Sequence, residues 1–111
     1  MKVTQVIIAG QNVVELQERE LDTQVGPEEV LIQTAWTFIS AGTELANYTG
    51  KEAAVFEKGS WCAYPWNSGY ANVGTVLAVG EKVTRCQVGD RVFSCGSHSS
   101  MVKMTENSLI V

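Results

Sequence analysis

The sequence predicts a mainly β domain, a small and partly open β-barrel with one or two short helices. Three observations carry this. Apolar residues recur with a period of two rather than 3.6. Glycine-bearing turns punctuate the chain at short intervals. A chain of 111 residues, 45% of them hydrophobic and 18% charged, is long enough to close one core without disulfide staples.

The elements follow in order. Lys2 to Ala9 is rich in Val and Ile, Gly10-Gln11-Asn12 is a natural turn, and a second run starts at Val13. There Val14 and Leu16 face one way and Glu15, Gln17 and Arg19 the other, which predicts a hairpin with one solvated face. Val25-Gly26-Pro27-Glu28-Glu29 is loop chemistry, since Pro gives up its amide donor and Gly permits positive φ. A long strand is expected from Val30 to Ile39, with Val30, Ile32, Thr34, Trp36 and Phe38 on one bulky face. Gly42 to Tyr48 is the clearest helical segment: Leu45 and Tyr48 share a face, and Gly50 stands where a C′ residue ends the turn. From Lys51 to Ser68 periodicity breaks down around Trp61, Tyr64, Pro65 and Trp66, which predicts a mobile or partner-covered loop. Strand character returns from Gly69 to Val79, where Gly74 signals a bulge or a close backbone approach. Gln87-Val88-Gly89-Asp90 turns the chain into Arg91-Val92-Phe93, and the last strands are expected near Ser100–Met104 and Leu109–Val111.

Composition excludes several classes. The net charge is −4, from 12 acidic and 8 basic side chains, and the basic residues are scattered singly, so no nucleic-acid partner is expected. No apolar run approaches the ~20 residues of a membrane span. Met1 to Ile8 lacks the apolar core and cleavage site of a signal peptide. A soluble, cytoplasmic protein is the expectation. Cys62, Cys86 and Cys95 are odd in number and widely spaced, with no C-x-x-C and no zinc-finger spacing, and read as three small buried hydrophobes.

Four motifs occur in fixed order: Gly26-Pro27-Glu28-Glu29-Val30-Leu31-Ile32, Ile39-Ser40-Ala41-Gly42-Thr43-Glu44, Gly69-Tyr70-Ala71-Asn72-Val73-Gly74 and Val88-Gly89-Asp90-Arg91-Val92. Together they resemble the N-terminal GroES-like catalytic domain of the medium-chain dehydrogenase/reductase family, the zinc-type alcohol dehydrogenase relatives, over nearly all of residues 1–111. The resemblance implies a GroES-like barrel. It also implies a companion Rossmann domain that holds NAD(P). The chain contains no G-x-G-x-x-G between a strand and a helix, so that domain is expected to be absent and no cofactor is expected on this chain alone.

The resemblance also locates a zinc site, and the ligands are not there. Where zinc-dependent relatives carry Cys this sequence has Ala41, and where they carry His-Glu it has Tyr70-Ala71. A methyl group cannot bind a metal, and a phenol with a pKa near 10 is a poor ligand. No metal is therefore expected. Thr43 matches the hydroxyl that touches substrate oxygen in relatives and is the candidate proton relay, because a hydroxyl both donates and accepts; the plainer reading is that Thr43 caps the short helix. Glu44 matches a carboxylate that orients a metal ligand, a job that has lapsed here unless it accepts from a nearby hydroxyl. Tyr70 is the other candidate acid, although no Lys lies close in the chain to lower its pKa. His98 reads as a strand-entry histidine bonded to backbone, with a proton shuttle as the sharper alternative.

Two functions compete. In the first, the chain is the substrate-side domain of a zinc-independent NAD(P)-dependent oxidoreductase acting on quinones or activated alkenes, inactive alone, with Tyr64, Trp66 and Tyr70 as an apolar substrate wall. In the second it is a stand-alone binding or assembly module that self-associates or takes a partner on the surface that a Rossmann domain covers in relatives. A third, weaker option is a binder of small apolar ligands along the rim from Trp61 to Trp66.

Overall fold

The structure is a computed structural model that describes all 111 residues. Seven strands form two antiparallel sheets: β1 (Lys2–Gly10), β2 (Val13–Glu20), β3 (Glu29–Thr37), β4 (Trp66–Asn67), β5 (Asn72–Val79), β6 (Arg91–Ser94) and β7 (Met101–Thr105). One sheet has the order β2-β1-β4 and the other β6-β5-β3-β7. A Gln5–Ser99 bridge joins them, with Val6 N–H donating to His98 O at 2.9 Å and Ser100 N–H to Thr4 O at 2.9 Å. The barrel is thus partly open, in the GroES-like manner.

The hairpin forms as expected, turning at Gln11-Asn12 with Asn12 at φ 60°, but its second strand differs. Val14 and Leu16 are exposed, because β2 is an edge strand with nothing packed on its apolar face. The β3 expectation also needs correction. Val30 and Ile32 are fully buried, yet Trp36 and Phe38 are about 70% exposed: 72% and 71%. The β3–β5 register slips between Thr34 and Trp36, β3 ends at Thr37 rather than Ile39, and Trp36, Thr37, Phe38 and Ile39 are all exposed, so this end of the strand runs off the core. Gly74 lies at this point, and a Cβ there would sit 2.3 Å from Gln33 O, so the close approach read from sequence is real.

The helix α1 spans Ala41–Thr49 and ends at Gly50, whose φ of 79° is left-handed. Residues 51–68, expected as a mobile or partner-covered loop, carry a 3₁₀ turn at Ala53–Phe56 and then β4, which pairs with Ile7 and Ile8. Leu109–Val111 contributes only a Phe93–Ile110 bridge rather than a strand. The main core is Val30, Ile32, Val76, Cys86, Val92, Val102 and Leu109, and a smaller cluster joins Val3, Leu31 and Met101. Cys62 and Cys86 are buried as expected, whereas Cys95 is exposed because Arg91–Ser94 alternates and turns its neighbour outward. No helix is long and apolar enough to cross a membrane.

Candidate functional site

The first turn of α1 is built around Glu44. Ser40 precedes the helix in extended conformation and makes no side-chain cap bond. Instead Glu44, one turn on, reaches back and its Oε2 accepts from Ser40 N–H at 2.5 Å, satisfying a donor that water or a cap residue otherwise covers. Thr43 therefore does not cap the helix; its hydroxyl has no partner in the chain and is left free at the helix start.

The other carboxylate oxygen of Glu44 meets the only histidine. His98 Nε2 lies 2.5 Å from Glu44 Oε1, and both residues are 8% exposed. This overturns the expectation that the imidazole bonds backbone, and Glu44 accepts from an imidazole and an amide rather than from a hydroxyl. The reason is burial: a carboxylate removed from water needs two strong donors, and the β6–β7 loop supplies one. That loop is pinned from both sides, since His98 N–H donates to Ser68 O at 2.8 Å and His98 O accepts from Val6 N–H at 2.9 Å. Gly69 completes the seat. Its φ is 92°, and a Cβ there would stand 2.6 Å from His98 Cγ, so the imidazole packs against bare backbone.

Two clefts flank this helix start. One, of about 290 Å³, has Glu44 and His98 in its lining and apolar walls from Val6, Ile8, Val14, Ile39, Leu45 and Tyr48. The other, of about 360 Å³, is lined by Thr43 with Gly42, Asn47, Glu52, Trp61 and Cys62. Sequence reasoning missed Asn47. Its Nδ2 donates to Cys62 O at 2.9 Å while its Oδ1 is buried without a partner. The available signal was an Asn three residues beyond Glu44 on a helix expected to bury one face.

The expected aromatic wall is not a single surface. Tyr64 packs edge-on against Phe56 with ring centres 5.8 Å apart, and its hydroxyl donates to Asn47 O. Burial, and secondarily Cys62, hold the Tyr64 phenol above its ordinary value near 10.0, so it stays a donor. Trp66 meets Trp61 edge-on at 6.0 Å. Tyr70 is 44% exposed and borders neither cleft, so the structure does not bring Tyr70 and Thr43 together. Nowhere do three or more His, Cys, Asp or Glu side chains converge in a way that could hold a metal ion.

Comparison with known proteins fits this architecture. The family described as alcohol dehydrogenase GroES-like domain matches residues 26–109. Among solved structures, the CurF ER cyclopropanase from the curacin A biosynthetic pathway superposes with a TM-score of 0.81 at 24% identity, over 100% of this chain and 36% of that one. The CurK enoyl reductase gives 0.78 at 21%, over 100% and 35%. A quinone oxidoreductase of Pseudomonas syringae pv. Tomato DC3000 gives 0.71 at 24%, over 99% and 33%. The chain thus spans about a third of the length of these structures, and at such identities the likeness is one of fold. A search of curated protein sequences finds no match. The match of the family to more than half of the sequence, on a fold with the expected partly open barrel, places the chain in the alcohol dehydrogenase GroES-like domain family.

Proposed function

We propose that this domain forms the substrate side of an NAD(P)-dependent medium-chain oxidoreductase that works without a catalytic zinc. The observation that carries the reading is the donor set. By the sequence resemblance, Ala41, Tyr70 and Ala71 stand where zinc-dependent relatives carry ligands, and no cluster of three metal-binding side chains lies elsewhere in the chain. These residues do not fit zinc. The described residues do not fit a dinucleotide either: every strand pairing is antiparallel, so no βαβ unit offers a helix N-terminus to a pyrophosphate.

Within this reading the chain's own work is positioning. Thr43 presents a free hydroxyl to a cleft that Trp61 and Asn47 shape, where it holds a substrate oxygen and passes its proton outward. The solved structures named for enoyl reductase and quinone oxidoreductase activity support a carbonyl-conjugated alkene or a quinone as the substrate class. The test is metal content together with turnover of the protein as its own cell makes it. Reduction of quinones or enones by NAD(P)H that persists after exhaustive chelation, with far less than one zinc per chain, is the expected result. Loss of activity on chelation and its return with zinc overturns the reading.

A second reading rests on a different observation. Trp36, Phe38, Ile39 and Leu45 are each more than half exposed, the first three within four positions of the chain, and exposed apolar side chains grouped in this way mark interaction sites. This supports a face that docks a cofactor domain or another copy of the chain. Light scattering of the isolated chain separates the two: a stable dimer favours an assembly module, and a monomer favours a face kept for the cofactor domain.

A further inference from the structure

β2 is the outer strand of its sheet, and its free edge is long and unguarded. Val6 bonds His98 O and Ser68 N–H, and Thr4 O accepts from Ser100 N–H, all on the side of β1 that faces away from β2. Leu16 and Glu18 stand directly opposite Val6 and Thr4. Their own N–H and C=O groups therefore point away from β1, and the alternation of an antiparallel ladder turns those of Val14 and Glu20 the same way. No backbone group outside β1 bonds this strand. Residues 14–20 carry no proline, no lysine and no bulge, the devices that blunt an edge.

The charges on the strand fall into two groups. Glu18 lies 3.9 Å from Lys2, and Glu20 lies 3.1 Å from the N-terminal amine. Glu15 and Arg19 are exposed and have no ionic partner in the chain. We propose that β2 pairs edge to edge with β2 of a second copy of the chain, antiparallel about a twofold axis at Gln17. This register sets Leu16 opposite Glu18 and Val14 opposite Glu20 as hydrogen-bonded pairs, which uses every outward backbone group. Between them Glu15 of each copy faces Arg19 of the other in the closely spaced, non-hydrogen-bonded positions, where opposite charges attract most. The neighbouring registers lose this match: one sets Arg19 opposite Val13 and the other sets it opposite Gln17. The edge is distinct from the face around Trp36 and from the Thr43 cleft, and the pairing does not depend on the oxidoreductase reading.

Disulfide trapping reads the register, in the protein as its own cell makes it and with Cys95→Ser removing the exposed thiol. Gln17→Cys places a thiol on the axis, its Cα about 4.5 Å from that of its own copy, which a disulfide spans. A covalent dimer under mild oxidation is expected. Val13→Cys stands about 26 Å from its copy and is expected to give none. Arg19→Glu or Glu15→Arg, each on an exposed side chain, turns both ion pairs into like-charge contacts. Either alone is expected to weaken the pairing at least about tenfold at low salt. Mixing the two single variants restores opposite charges at both contacts, so heterodimers are trapped as readily as the parent dimer, a rescue that a role in folding alone does not produce. No disulfide from Gln17→Cys, equal yields at positions 13 and 17, a dimer indifferent to Arg19→Glu, or a mixture no better than either variant alone each overturns the proposal.

Discussion

Glu44 and His98 are 54 positions apart in sequence and 2.5 Å apart in the structure. Through this contact the first turn of the helix and the β6–β7 loop share one buried carboxylate, whose second oxygen also replaces a helix cap at Ser40. A short ionisable contact shielded from water is among the costliest to break on one side, because the group left behind keeps its desolvation penalty.

Removing the carboxylate tests this. Glu44→Ala leaves Ser40 N–H and His98 Nε2 without an acceptor and is expected to lower stability by about 3 kcal/mol. Glu44→Gln keeps one acceptor oxygen and loses less. Urea denaturation of the two variants gives the ordering, and a Glu44→Ala protein as stable as the parent would show that water replaces the carboxylate freely.

Gly69 and Gly89 make a matched pair. Both have left-handed φ, 92° and 95°, but a Cβ at Gly69 meets His98 at 2.6 Å while one at Gly89 meets nothing within 4 Å. Gly89→Ala pays only the conformational penalty of about 1 kcal/mol. Gly69→Ala adds a collision with a ring and backbone that are held in place, and thermal melts are expected to show at least twice the loss. Equal losses at the two positions would mean that the His98 loop yields.

Much of the fold was legible because it is written locally. The period of two, the turn at Gly10-Gln11-Asn12, the helix stop at Gly50 and the tight spot at Gly74 each depend on neighbours in the chain. What escaped depends on distant partners. Nothing near Trp36 announces that the register slips beside Gly74 or that this end of β3 runs off the core. Nothing in the stretch 51–68 announces that Trp66-Asn67 pairs with Ile7 and Ile8. At the site, Glu44 was legible as a residue that needs a donor, but the donor is His98, delivered by a crossover between sheets. Sequence spacing carries no signal for such a pair.

The cysteines supply a pH prediction. Burial first, then the Asp90 and Glu106 carboxylates, raise the Cys86 thiol above its ordinary value of 9.0. A folded-state value above the unfolded one gives stability that is complete below the unfolded value and is lost as pH climbs from there through the folded value. Stability is expected to fall as pH rises past about 9, and Cys86→Ala is expected to flatten that part of the profile measured by denaturant titration. An unchanged slope in the variant would assign the alkaline loss elsewhere, the Tyr64 phenol being next in line.

Thiol labelling reads the same burial pattern kinetically. Cys95 is exposed, while Cys62 and Cys86 are enclosed, so native protein is expected to take up one equivalent of a thiol reagent quickly. The other two follow only on unfolding. Rapid uptake of two or three equivalents would show that the core around Cys86 opens in the native state.

Thr43 separates a structural role from a chemical one. Glu44, not Thr43, closes the helix start, and the Thr43 hydroxyl bonds nothing in the chain. Thr43→Val keeps the shape and removes the hydroxyl, so stability is expected to change by no more than about 0.5 kcal/mol. If Thr43 relays a proton in the proposed reaction, the same variant in the active protein loses roughly 100-fold in kcat, the lower range for a positioned acid–base group, and Thr43→Ser recovers most of it. The two measurements are independent because fold and reaction draw on different atoms of this residue. A destabilised Thr43→Val protein would restore the capping role to Thr43, and a stable one with undiminished kcat would move the relay to another residue of the cleft.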